Sequence, residues 1–241
     1  MQQQKSVVAH LFAIVESIEA DLMLPLRAHE REDKGGFLSI SRQVFCYVDY
    51  LGALAANGEN STKNSVAYMN RYFTRANPAY KGKCNLMYSM WRHGTVHEYD
   101  PKVFKSEAGG FELRWGANNT SLALNRKWHL KCLCRASEPG CYHWFINLFE
   151  LVEELRRSVT HFAEDLEQDA KALSKARSSL RKMSAVVDLD KQNPDLLLEA
   201  MAVVAQSAGA MDDRGSVVRE FADAAAYEAF KAEDWGRQPL T

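Results

Sequence analysis

The chain opens on apolar positions at helical spacing. Val7, Val8, Leu11, Phe12, Val15, Ile18 and Leu22 recur every three or four residues, which predicts a first helix of about five turns. "EREDKGGF" breaks that pattern with charge and a glycine pair. From Leu38 to about Asn57 the sequence is apolar on nearly every side, the mark of a central helix. "NGENST" is a loop whose Ser61 or Thr62 caps the next helix. That helix runs over Lys63 to Thr74, is punctuated at Asn77-Pro78, and resumes from Ala79 to about Gly94.

The period then changes. Phe111, Leu113 and Trp115 alternate, followed by Leu122 and Leu124, then Trp128, Leu130 and Cys132, and "RASEPG" closes the run. A period of two predicts two or three short antiparallel strands. Phe145, Leu148, Phe149, Val152, Leu155, Val159, Phe162, Leu166, Ala170, Leu173 and Leu180 return to helical spacing. At about 1.5 Å per residue this predicts one rod of about 55 Å. Two shorter helices are expected beyond it, Pro194 to about Ala208 and Val217 to about Lys231. The fold class is therefore mainly α. A helical bundle over residues 1–187 carries a small antiparallel β insertion at about 103–141, and 188–241 form a C-terminal helical extension.

Composition adds little until charge is divided along the chain. With 46% apolar and 25% charged residues among 241, and a net charge of −1, it matches an ordinary globular protein. No apolar run approaches the roughly 18 to 20 residues of a membrane helix. Five cysteines, an odd number, argue against a disulfide framework, so a cytoplasmic protein with no membrane partner is expected. The near-zero net charge hides a basic middle. Thr62 to Arg135 holds 13 Lys and Arg against 4 Asp and Glu, whereas the flanking segments are acidic. Lys63, Arg71, Arg75, Lys81, Lys83, Lys102 and Lys105 are interleaved there with Tyr68, Tyr72, Tyr80 and Tyr88, a pattern suited to binding a polyanion. The same charges would serve equally to pair with the acidic helices of the fold.

Inside this segment lies "MWRHGTVHEY". His93 and His97 stand four apart, as zinc ligands on a helix do, with Glu98 or Asp100 as a third donor. Gly94 weakens that helix, and no glutamate follows the first histidine as metalloprotease helices require. A second ligand set is Cys132, Cys134, Cys141 and His143. If a hairpin folds at "SEPG", these four converge on one strand face. Their spacing is unlike the common finger patterns, and neither metal nor cofactor is expected. Arg92 with His97 offers a different chemistry. On an ideal helix five residues mean about 140° of rotation, but Gly94 and Pro101 predict a distorted end that brings the two closer. A histidine near its usual pKa of about 6.5 can move the proton of a 2′-hydroxyl. A fixed guanidinium stabilises the charge gathering on phosphorus. His93 is a polar partner able to orient either group.

"RHGTVH" fits the R-(polar)-x-x-x-H motif of the HEPN superfamily, and the apolar helix before it and the surrounding bundle are similar too. The wider run "LMYSMWRHGTVHEYDPK" resembles bacterial HEPN-like proteins whose segment reads like "YRNGLVHxYxPK", and helix order extends the likeness loosely from Val7 to about Met183. The resemblance implies a bundle that pairs as a homodimer, with a metal-independent endoribonuclease site of toxin or defence type between subunits, giving 2′,3′-cyclic phosphate ends. Carried over, Arg92 stabilises the transition state, His97 is the acid or base, and His93 is the polar residue after the arginine. An antitoxin or other protein partner is implied in that setting. The β insertion departs from the minimal bundle. The alternative expectation is a non-catalytic helical module that binds RNA or another protein.

Overall fold

A computed structural model describes residues 4–32, 37–97, 100–118, 121–122, 126–134, 136–185, 194–205, 209–211 and 217–220, with 225 and 229. The N-terminal apolar stripe forms α1 (Gln4–Ile18), which passes through a wide π turn (Glu19–Met23) into α2 (Leu24–Glu32). Pro25, lacking an N–H for the preceding turn, stands directly after that widening. Val7, Leu11, Ile14, Ile18 and Leu22 are all buried. The central helix is α3 (Phe37–Ala55), with Val44, Phe45, Val48, Leu51 and Leu54 wholly inside.

Ser61 caps α4 (Thr62–Tyr68), accepting the Asn64 N–H at 3.2 Å. A second π turn (Met69–Phe73) leads to the short α5 (Thr74–Ala76), and Asn77 in extended geometry ends it. Asn77 then accepts the Ala79 N–H and starts a 3₁₀ turn, Pro78–Tyr80. The chain re-enters a helix as α6 (Cys84–Met87), a third π turn (Tyr88–His93) and α7 (Gly94–His97).

The inserted sheet has four strands, β1 (Phe104–Ser106), β2 (Phe111–Asn118), β3 (Cys132–Cys134) and β4 (Cys141–Asn147), in the order β1-β2-β4-β3. It is mixed rather than antiparallel, because β2 and β4 run parallel. Its bundle face carries Leu113, Trp115, Trp144 and Ile146, which join the core. The sheet also continues further than expected. Phe145 lies in β4, and the helix begins only at Leu148, where the Asn147 side chain accepts the Glu150 N–H.

The predicted single rod is two helices, α8 (Leu148–Gln168) and α9 (Ala170–Met183). Asp169 leaves helical geometry at φ −121° and ψ 102°, and its carboxylate accepts the N–H groups of Lys171 and Ala172. An aspartate that caps a new helix in this way outcompetes continuation of the old one. α8 packs against α1, α3 and the second π turn.

Residues Met1–Ser184 form one unit and Ala185–Thr241 another. The second contains α10 (Pro194–Ala205) and an antiparallel pair, β5 (Gly209–Met211) with β6 (Val217–Glu220). Val217 to Glu220 was expected to begin a helix and is a strand instead. Two consecutive β-branched valines suit that outcome. The remainder of that expected helix lies outside the described residues, apart from 225 and 229.

A buried carboxylate fastens α8 to the middle of the chain. Glu154 accepts Asn77 Nδ2 at 2.6 Å, Tyr80 OH at 2.6 Å and His129 Nε2 at 2.8 Å. The Asn147 N–H donates to His129 Nδ1, so the imidazole's proton sits on Nε2 and faces Glu154. Burial alone would raise the Glu154 pKa, but the bonds from His129, Tyr80 and Asn77 hold it below the ordinary glutamate value. A lowered folded-state pKa stabilises the fold above the unfolded value of about 4.3, and the benefit disappears as pH falls through the folded value. Glu154→Gln should therefore cost about 1–3 kcal/mol at pH 7. In urea unfolding its deficit from wild type should narrow steadily below about pH 4.

Candidate functional site

Asp49, on α3 and almost fully buried, is the centre of the motif region. Its Oδ1 accepts Ser65 Oγ at 2.8 Å and Tyr88 OH at 2.6 Å, and its Oδ2 accepts Arg92 Nε at 2.6 Å. Ser65 arrives because α4 crosses α3 at Gly52, where a Cβ would meet the Ser65 Cα at 2.7 Å. Tyr88 and Arg92 arrive because the π turn Tyr88–His93 opens the helix and re-aims its side chains, a distortion frequent at functional sites. Thr95 Oγ1 then bonds back to the Trp91 carbonyl at 2.7 Å.

The glycine of the motif has a separate task. A Cβ on Gly94 would lie 2.3 Å from the Asp100 carbonyl oxygen and 2.6 Å from Lys102 N. The following strap crosses at that point, and Lys102 N–H donates to the Met90 carbonyl at 2.9 Å. Gly94 is thus required by backbone packing, not by helix flexibility alone.

Arg92 is largely covered, with 18% of its side chain exposed. Burial pulls its pKa down, and Asp49 more than offsets this and keeps the guanidinium firmly charged. Its Nη1 is buried with no hydrogen-bond partner among the described residues. Arg92 lines a pocket of about 420 Å³ with Cys46, Asp49, Tyr50, Asn60 and Met183. His93 is half-buried, its ring edge-on to Tyr88 at 5.4 Å between centroids. His97 closes α7, but its side chain lies outside the described residues, as do Glu98 and Tyr99. Trp91 is fully buried against Trp115 and belongs to the core.

The basic residues separate into two groups. Arg71 pairs with Asp165, and Arg75 with Asp165 at 3.0 Å and Glu164 at 2.7 Å, so both clamp the second π turn and α5 onto α8. Lys63 on α4 and Lys81 are exposed, Lys83 and Lys102 are half-buried, and Lys105 on β1 pairs with Glu107 at 3.6 Å. Beside Arg71 is another pocket, about 380 Å³, whose walls include Tyr72, Phe162, Lys171 and Lys175. A larger one of about 570 Å³, between Leu24, Arg27, Arg126 and Phe149, contains none of the expected residues.

The four-ligand zinc set does not converge. Cys132 pairs with Trp144 and Cys134 with Tyr142, so both thiols share the bundle side of the sheet. Leu133 pairs with His143, which places His143 and Cys141 on the outer side. The expected hairpin forms, but its register is one residue away from the one required.

From the sequence, Glu98 or Asp49 stood open as an ion-pair partner for Arg92, and the structure shows Asp49. The pocket neighbours Cys46, Tyr50 and Asn60 were not foreseen, nor was the role of Asp49 as the centre of the region. A lone aspartate within the apolar run of α3 is the signal that could have found it, since a buried charge demands partners. No family model matches the chain, and comparison with curated proteins and with solved structures finds no match. Among the described residues, no helix is long and apolar enough to cross a membrane.

Removing Arg92 leaves the Asp49 carboxylate buried without its cation. Arg92→Ala should therefore lower the unfolding free energy by about 3–5 kcal/mol in urea titration. Arg92→Lys keeps the charge and should lose clearly less.

Proposed function

We propose that the protein is a HEPN-like, metal-independent endoribonuclease in which Arg92 grips the scissile phosphate and His97 moves the proton. The observation that carries the reading is the state of Arg92. Its Nε is fixed by Asp49, its Nη1 is a buried donor without a partner among the described residues, and it lines a pocket. Leaving a donor unsatisfied costs about 1–3 kcal/mol, a penalty that an incoming phosphate oxygen would relieve. A guanidinium oriented by a carboxylate enters the reaction without having to reorganise. His97 takes the proton of the 2′-hydroxyl, the 2′-oxygen bonds to phosphorus as the P–O5′ bond breaks, and the His97 imidazolium returns the proton to the leaving 5′-oxygen. The products are a 2′,3′-cyclic phosphate and a 5′-hydroxyl, with neither water nor metal consumed. His93, edge-on to Tyr88, keeps that side of the Asp49 cluster in place. By the same resemblance a second subunit completes the cleft, and Lys63, Lys81 and Lys102 steer the RNA backbone.

One observation weighs against RNA cleavage and toward the protein-binding form of the second reading, a non-catalytic helical module that binds RNA or protein. Arg71 and Arg75, two of the seven basic residues expected to hold RNA, are taken up by Asp165 and Glu164 of the same chain. Arg92–Asp49 is then simply a core ion pair.

Incubating a mixed, labelled RNA pool in EDTA with wild type and with folded His97→Ala separates the two. The nuclease cleaves in chelator, leaves cyclic ends, and loses about 10²–10⁴-fold in rate without His97. Folded wild-type protein that leaves the RNA intact supports the binding module. Equal cleavage by both proteins removes His97 from the mechanism.

A further inference from the structure

The turn between β3 and β4 folds Glu138 back over the start of β4. Cys141 N–H donates to the Glu138 carbonyl at 3.0 Å, and Gly140 makes the bend at φ 86°, where a side chain would be strained. Cys141 and His143, two apart on one strand, then face the same side. The ligand atoms of Glu138, Cys141 and His143 lie within 4.8 Å of one another, and Cys141 Sγ is 3.9 Å from His143 Nε2.

We propose that Glu138, Cys141 and His143 form a binding site for a zinc-class divalent cation on the outer face of the sheet, with the fourth position open to water. The donor types are those zinc prefers, one thiolate, one imidazole and one carboxylate. The spacing is right as well. With Zn–S of about 2.3 Å and Zn–N of about 2.0–2.1 Å, a tetrahedral ion holds sulfur and nitrogen about 3.5 Å apart. The observed 3.9 Å closes to that by small side-chain rotations, with the strand unmoved. Glu138, about 42% exposed, swings its carboxylate inward by the remaining distance when the ion binds.

The neighbouring charges set the terms of binding. In register with this pair on β2 are Glu112, opposite Cys141, and Arg114, opposite His143. Arg114 bonds Glu112 through Nε and stands 3.7 Å from Glu138 through Nη1. It is the resident counter-cation of the site, held to Glu138 only loosely. The entering ion displaces this long contact, and Arg114 retains Glu112. Cys141 gives up its thiol proton to solvent on binding, so affinity rises with pH. Cys132 and Cys134, on the opposite side of the sheet, are not ligands.

The full chain, dialysed free of metal, is titrated with Co²⁺ and then with Zn²⁺. The expected result is one equivalent of cobalt with a thiolate-to-metal absorption band, displaced by zinc, and a higher thermal midpoint with zinc bound. Cys141→Ser should abolish the band, and His143→Gln and Glu138→Gln should each weaken binding at least tenfold. Cys132→Ser and Cys134→Ser should leave the band intact. Metal-free melting curves show whether each variant is folded, and Glu138→Gln, at an exposed turn, tests the site even if a strand variant does not fold. No stoichiometric binding, or a band that survives Cys141→Ser and vanishes with Cys132→Ser, overturns the assignment.

Discussion

The carboxylate of Asp49 sets the geometry of the motif region. It lies within the central helix and takes three donors from two places, Ser65 on α4 and both Tyr88 and Arg92 on the third π turn. A charge at that depth is tolerated only with its hydrogen-bonding capacity filled. The helices that deliver those donors are consequently fixed in angle and register, not merely packed. Gly52 permits the close crossing that brings Ser65 in, and Gly94 permits the strap that caps the same π turn. Two glycines distant in sequence thus serve one ion pair.

The bundle repeats this device at its other end. Glu154 on α8 also gathers three donors, from Asn77, Tyr80 and His129. These fasten the 3₁₀ turn and the segment entering β3 to the bundle. Leu130, next to His129, sits at φ 58°, an uncommon conformation for a non-glycine residue. Its own N–H donates to Phe145 O, and Phe145 N–H donates to Lys131 O. Leu130 is thus held between two bonds to Phe145, at the point where the chain passes from His129, bonded to Glu154, into β3.

The helices were legible because their apolar period is long and regular, and the sheet because its period is two. What failed was what periodicity does not encode. A run of helical spacing cannot reveal that Asp169 will stop one helix and cap the next, since a capping aspartate fits either pattern. Phe145 and Leu148 satisfied both a strand and a helix template, and only the Asn147 cap fixes the boundary. The parallel pairing of β2 with β4 was invisible because pairing direction depends on chain route, not on composition. The zinc set failed by one residue of register, the smallest error a strand allows and one that moves a side chain to the opposite face. Within the site, Arg92 stood out by its motif. Asp49 did not, because its partners are 16 to 43 residues away in sequence.

The mixed sheet has two faces with separate chemistry, and only one of them touches the bundle. On the inner face Trp115 stands edge-on to Trp91 at 5.6 Å, and Trp91 is the residue before Arg92. Trp91 is completely buried, so it cannot shift without moving either the sheet or the π turn. The insertion is therefore a wall of the motif's own core rather than a decoration on the bundle. The outer face, with Glu112, Arg114, Glu138, Cys141 and His143, is separated from that core by the thickness of a single strand layer. From Cys141 the same strand β4 runs on to Asn147, which hands its N–H to His129 and caps α8. The path from the sheet's outer charges to the buried Glu154 cluster runs through continuous backbone. The insertion and the bundle's second carboxylate are thus joined through one residue, His129, which bonds β4 on one ring nitrogen and Glu154 on the other.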